Sequence, residues 1–129
     1  MKRAVLVMVI LTVMVIPSVS MADFGALAYS PSTGRCEGAF GYDSAEDALY
    51  AAQANCGYRD CVGMAWFENS CGALAMASNG EISSSHGRSS EVIARESAIY
   101  ECYRKGSGCR VICWACSGNQ HNNRRNRWR

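Results

Sequence analysis

Apolar residues fall along this chain in two regimes. Ala4 to Ile16 form a run of thirteen broken only by Thr12, whereas from Asp23 onward apolar positions come in short runs and stripes separated by Gly, Ser, Asn and Pro. The first run is too short for a membrane-spanning helix, which needs about 20 residues, and matches the roughly 7–15 of a signal-peptide core. Met1-Lys2-Arg3 gives it a basic start, Pro17 ends it, and Ser20-Met21-Ala22 offers the small residues of a cleavage site. Residues 1–22 are therefore predicted to be a cleaved signal peptide, and the mature protein to be secreted or periplasmic. Nothing after this run has the length or apolarity to span a bilayer.

Beyond the signal, the pattern repeats itself. Gly25-Ala26-Leu27-Ala28 returns as Gly72-Ala73-Leu74-Ala75; Ser44 with Ala48, Ala52 and Cys56 returns as Ser90 with Ala94, Ala98 and Cys102; Cys61 with Trp66 returns as Cys109 with Trp114. Landmarks kept in order at nearly constant offset mark an internal duplication, read here as repeats 24–70 and 71–118 of a single domain. Each copy reads as strand, turn, strand, helix, strand. Phe24–Ser30 and Arg35–Tyr42 flank Pro31-Ser32-Thr33-Gly34, and Cys71–Ala77 and Glu81–Arg88 flank Ser78-Asn79-Gly80, both hairpin signals. A helix from about Ser44 to Asn55 opens at Asp43, with Glu46 three residues on in capping-box fashion, and Cys56-Gly57 closes it. Ala48, Ala52 and Cys56, like Ala94, Ala98 and Cys102, fall at i, i+4 and i+8, so each helix turns a narrow small-residue stripe toward a sheet. Cys61–Phe67 and Cys109–Cys116 read as the closing strands. One copy alone can cover only one face of a small sheet. The predicted fold is α+β: two pseudo-twofold-related strand-strand-helix-strand repeats, antiparallel sheet packed with two helices, stapled by disulfides.

Cysteine usage strengthens that picture. All eight cysteines lie in the mature part, and an even count in an exported chain of this size argues for a disulfide framework. Zinc is disfavoured because Cys56-x4-Cys61 and Cys102-x6-Cys109 lack the two-residue knuckle spacing, with no histidine at ligand spacing. Cys56 with Cys61 and Cys102 with Cys109 are equivalent local bridges, each tying a helix end to the following strand. Cys71 with Cys116 follows from neighbouring first and last strands, and Cys36 with Cys113 by elimination.

Charge adds an asymmetry. Residues 23–118 hold seven Lys or Arg against eleven Asp or Glu, a net of −4, while the end carries Arg124, Arg125, Arg127 and Arg129, a net of +4. Residues 119–129 have no apolar periodicity and are read as a basic disordered tail. Its arginines and Trp128 are candidates for contact with an anionic surface, without specific nucleic-acid recognition.

The paired Gly-Ala-Leu-Ala openings, alanine-striped helices ending in cysteine and cysteine-to-tryptophan strands resemble the secreted bacterial family called domain of unknown function 4189, over roughly Phe24 to Cys116. That resemblance implies an exported protein with no generally established activity, and it supplies no catalytic residues. Cys36 and Cys113 have no counterpart in the opposite copy and look like additions to the repeat.

Candidate chemistry is sparse. Cys113-Trp114-Ala115-Cys116 has the spacing of thiol-disulfide oxidoreductases, but there the first cysteine caps a helix, whereas here the motif ends a strand on which residues three apart face opposite sides. His86, after Ser83-Ser84-Ser85, is the best isolated base beside a hydroxyl, yet no nucleophile elbow, metalloprotease motif or phosphate-binding loop accompanies it. Glu46, Asp47, Glu91 and Glu96 sit at helix starts or outer faces and read as solvated. The resulting expectation is a non-enzymatic binding protein, inhibitor-like or host-directed, with a protein partner and neither cofactor nor metal. A thiol-disulfide oxidoreductase or a small hydrolase is the alternative.

Overall fold

The computed structural model describes residues 22–118. The predicted signal segment up to Met21 and the predicted tail, Asn119 onward with Arg124, Arg125, Arg127, Trp128 and Arg129, lie outside the described residues. In chain order the elements are β1 (Phe24–Tyr29), β2 (Cys36–Tyr42), α1 (Ala45–Cys56), β3 (Val62–Glu68), β4 (Cys71–Met76), β5 (Ile82–Arg88), α2 (Glu91–Lys105) and β6 (Arg110–Cys116). The second four repeat the first four.

Local chemistry sets the boundaries. Gly34 and Gly80 take positive φ (75° and 86°) in the two hairpin turns, the conformation that glycine adopts without steric cost. The first helix is capped by Ser44, not Asp43: Ser44 is extended (φ −143°) and its hydroxyl accepts from the Asp47 backbone N–H at 3.1 Å. Ser90 does the same for α2, accepting from Ile93 N–H at 3.3 Å. Gly57 ends α1 in the left-handed conformation (φ 80°).

Each copy closes its own antiparallel sheet, ordered β2-β1-β3 and β5-β4-β6. The first strand of a copy is central, so its two companions satisfy both its edges. Ladder irregularities recur at equivalent places, between Phe24 and Ala26 and between Cys71 and Ala73. Along β1, Ala26 and Ala28 face α1 while Leu27 and Tyr29 face away; along β4, Ala73 and Ala75 face α2 while Leu74 faces away. The faces turned from the helices meet: β3 lies against β4 and β5, and β6 against β1 and β2. The result is a layered order of helix, sheet, sheet, helix. Its middle is an apolar seam of Leu27, Tyr29, Phe67, Leu74, Cys113 and Ala115.

Four disulfides hold the layers, two of them the repeat-equivalent local bridges. Cys56–Cys61 and Cys102–Cys109 are the local pair, with separations of 5 and 7 residues. Cys71–Cys116 joins directly opposed residues of β4 and β6. Cys36–Cys113 spans 77 residues and links β2 of one sheet to β6 of the other. The twofold equivalents of Cys36 and Cys113 are Ile82 and Ala65, an apolar pair in the same seam. In the chain-entropy model the two long links constrain the unfolded chain by about 4–4.5 kcal/mol each, against about 2–2.5 for the local ones.

Candidate functional site

Helix α2 lies mainly over β4 and β5 and leaves the outer strand β6 less covered. A groove of about 550 Å³ opens there, walled by Val92, Arg95, Glu96, Ile99, Tyr100 and Tyr103 of α2 and floored by Val111 of β6. Val92, Glu96, Ile99 and Tyr103 fall at i, i+4, i+7 and i+11, one side of the helix beside its buried Ala94, Ala98 and Cys102 stripe. Val92, Tyr100 and Tyr103 are each more than half exposed. This apolar side has no covering element among the described residues.

The first copy supplies an internal control. Position by position, Val92 corresponds to Glu46, Arg95 to Leu49, Ile99 to Gln53 and Tyr103 to Gly57. Val111, opposite Ala75, corresponds to Gly63, opposite Ala28. In the first copy Leu49 lies down over Gly63, so closely that a Cβ there would stand 2.8 Å from Leu49 Cδ2. That leucine fills the space. In the second copy a long arginine replaces it, a valine floor replaces the glycine, and α2 continues past the point where α1 ends, carrying Tyr103. One ancestral design has thus become a plugged side in one copy and an open apolar channel in the other.

Among the described residues, the charged side chains lining the groove are Arg95 and Glu96, and Tyr100 and Tyr103 line it beside them. An apolar floor with a few polar groups suits recognition of an apolar or aromatic side chain. Among the described residues, no group of three or more His, Cys, Asp or Glu is placed to hold a metal ion.

Of the described residues singled out from sequence, Glu96 lines this groove and the others do not converge on it. Cys113 sits in the seam between sheets and Cys116 in the cluster facing α2, and each is bonded to a different distant cysteine. They are not a dithiol pair. His86 is exposed near the end of β5, and the neighbouring Ser85 hydroxyl donates to Ala94 carbonyl at 2.6 Å, tying β5 to α2. Glu46, Asp47 and Glu91 occupy the first turns of their helices, as anticipated. Sequence reasoning missed the groove. Its signal was available in the substitutions between copies, apolar for polar at Val92 and Ile99 and valine for glycine at Val111.

A second polar cluster ties the first copy's loops. Asp60 accepts from the Ser30 hydroxyl and from Ser32 N–H, both at 2.7 Å, and Thr33 donates to Ser30 at 2.8 Å. These donors hold the Asp60 carboxyl below its ordinary pKa of 3.8, the Ser30 hydroxyl contributing most. The cluster locks the β1–β2 turn to the loop before β3. It is fully engaged with itself and reads as structural.

Comparison with curated proteins finds no match. Among solved structures, the NMR structure of Rv1813c from Mycobacterium tuberculosis is similar, with 25% identity, 73% of this chain and 74% of that chain covered, and a TM-score of 0.48. The family model described as a domain of unknown function (DUF4189) matches residues 24–116, from the first residue of β1 to the last of β6. With the whole duplicated core inside that match, the chain belongs to the DUF4189 family.

Proposed function

We propose that this protein is an exported, non-enzymatic binding domain that holds a protein partner in the groove between α2 and β6. The observation carrying this reading is the divergence between copies: where the first is plugged by Leu49 over Gly63, the second opens a channel lined by Val92, Ile99, Tyr103 and Val111. Apolar side chains that line an uncovered channel where the first copy has Glu46 and Gln53 cost solubility without helping the fold, which is the mark of a contact surface. The preferred partner segment presents an apolar or aromatic side chain to the floor, with polar groups for Arg95 and Glu96. Export is supported by the N-terminal leader pattern and by eight described cysteines all in disulfides, which persist in oxidising compartments. An inhibitor-like or host-directed role fits such a stapled module.

The test is site-specific photocrosslinking. A benzoylphenylalanine at Tyr103 should capture a partner from the native exported fraction, while the same group at the exposed Tyr50 of α1 should not. Val92→Glu, at an exposed position, should abolish the Tyr103 adduct. Equal capture from both positions, or capture insensitive to Val92→Glu, would refute the groove as the contact surface.

A further inference from the structure

We infer that the first copy carries a second contact surface, built on the rings of Phe24, Tyr42 and Trp66 and flanked by carboxylates, that docks a basic, arginine-bearing segment of a partner protein. It belongs to the α1 layer, on the other side of the molecule from the groove, and does not depend on what the groove holds.

The sheet register assembles the rings. Phe24 opens β1 and is opposed by Tyr42 on β2 and by Glu68 on β3. Trp66 is opposite Ala26 and two residues from Glu68, so both lie on the face that Phe24 and Ala26 turn toward α1. The centroids of the Phe24 and Trp66 rings are 6.0 Å apart and the rings are tilted by 48°. Helix α1 lies mainly over β1 and β2 and leaves β3 less covered. Phe24 is partly buried against the alanine stripe of that helix, while Trp66 stays 48% exposed and Tyr42 37%.

The second copy shows how else this end can be finished. Its equivalents of Phe24 and Glu68 are Cys71 and Cys116, joined by a disulfide, and its equivalent of Tyr42 is Arg88. A covalent staple in one copy is thus replaced in the other by aromatic rings and a carboxylate. Charge diverges in the same direction. Asp43, Glu46 and Asp47, just before and within the first turn of α1, correspond to Ser89, Val92 and Ile93 before and within that of α2. These three carboxylates and Glu68 are exposed, and none of them makes an ion pair among the described residues. Acids in a first turn favour the helix dipole, but α2 carries Glu91 alone there. The basic residues of the first copy, Arg35 and Arg59, lie at the opposite end of its sheet, in the β1–β2 turn and the α1–β3 loop.

Exposed rings beside unpaired carboxylates select the ligand. Aromatic faces attract cations, arginine most often, and a guanidinium also pairs with carboxylates through its fork of N–H donors. Four acids exceed what a single ammonium group can answer, and the phosphate of a choline headgroup or of a nucleic acid is repelled by them. A segment with more than one arginine answers both features: one guanidinium stacks on Trp66 and pairs with Glu68, and another meets the acids at the start of α1.

The experiment titrates the isotope-labelled full mature chain with acetylated tetra-arginine amide, following the indole N–H of Trp66 and the amides of Tyr42 and Glu68 by NMR. Saturable shifts are expected at all of them. Trp66→Leu should weaken binding about 2- to 30-fold, the span of a cation–π contact, and Glu68→Gln, at an exposed position, should weaken it as well and keeps the test open should Trp66→Leu not fold. Val92→Glu, in the groove, should leave the titration unchanged. No shift at Trp66, or shifts scattered over the acidic surface and indifferent to Glu68→Gln, would overturn the inference, the latter meaning charge attraction only. Binding lost in Val92→Glu would overturn it too by placing the peptide in the groove. So would choline chloride producing the same shifts at the same concentration, which would make the surface a quaternary-ammonium site instead.

Discussion

The ring of Phe67 packs directly on the backbone of Gly72, so closely that a Cβ on that glycine would stand 2.7 Å from Phe67 Cδ1. The same ring overlaps the place a Cβ on Gly25 would occupy, and Gly25 is the twofold equivalent of Gly72. One aromatic ring thus fills the centre of the seam between sheets, pressed by the same glycine from both copies. Its own equivalent is Ala115, which leaves room for one ring rather than two.

Gly25→Ala and Gly72→Ala should therefore each destabilise by about 1–3 kcal/mol, the usual cost of overpacking. The two differ in how they can be rescued. At Gly72 a Cβ also meets the Ser85 carbonyl oxygen at 2.8 Å, whereas at Gly25 the nearest backbone atom, Ala39 oxygen, is at 3.0 Å. Phe67→Leu should relieve much of the Gly25→Ala penalty and less of the Gly72→Ala penalty. Denaturant midpoints of the two double-mutant cycles check this.

Ala52 and Ala98 occupy equivalent, fully buried places where α1 and α2 press on their sheets. Ala52→Leu and Ala98→Leu should cost similar amounts, about 1–3 kcal/mol, while Gln53→Leu on the exposed side of α1 should be nearly neutral. Thermal or urea unfolding of the three variants decides it; a large inequality between the first two would show that the copies do not share their helix-to-sheet packing.

Acid should weaken the first copy's loop junction. The Asp60 carboxyl is held below its ordinary pKa of 3.8 by Ser30 and Ser32. A group whose folded pKa is depressed stabilises above the unfolded value and ceases to do so as pH falls through the folded one. The stability advantage of the wild type over Asp60→Asn should be constant near neutrality, shrink below about pH 5 and vanish once both states are protonated. Urea midpoints of the pair across that range test the sign.

Much of this architecture was readable because the chain states it twice. The hairpin turns, the alanine stripes and the local bridges could each be checked against a second copy. Other features were hidden for identifiable reasons. Asp43 and Ser44 are both good N-caps and adjacent, so composition could not choose between them; the extended backbone of Ser44 does. The run Phe24–Tyr29 is apolar on both faces, which signals cover on both sides without saying by what. That the second cover is the other copy's sheet depends on which strand is central, a matter of pairing rather than pattern. The groove escaped because Val92, Ile99 and Tyr103 look like any apolar side of a helix until each is set beside Glu46, Gln53 and Gly57.

The plug in the first copy offers the most direct check on how the groove arose. Leu49 is partly buried, and the three heavy atoms nearest to a Cβ on Gly63 would all belong to its side chain. Because that contact is the end of a movable side chain rather than backbone, Gly63→Ala should cost little, about 1 kcal/mol or less. Leu49→Ala alone should cost more, toward the lower end of the 2–5 kcal/mol range for large-to-small changes, since the site is only partly buried. In the Leu49→Ala background, Gly63→Ala should turn neutral or stabilising, because the close Cδ2 is gone, the remaining residue-49 Cβ stands at an ordinary contact distance of 3.7 Å, and a flexible glycine is removed from the unfolded chain, an effect of about 0.4–1 kcal/mol. The coupling between the two positions, measured by urea unfolding of the four-member cycle, should therefore be favourable in sign. If Gly63→Ala were equally harmful in both backgrounds, Leu49 would not be what closes the first copy's channel, and the comparison that singles out the second would lose its control.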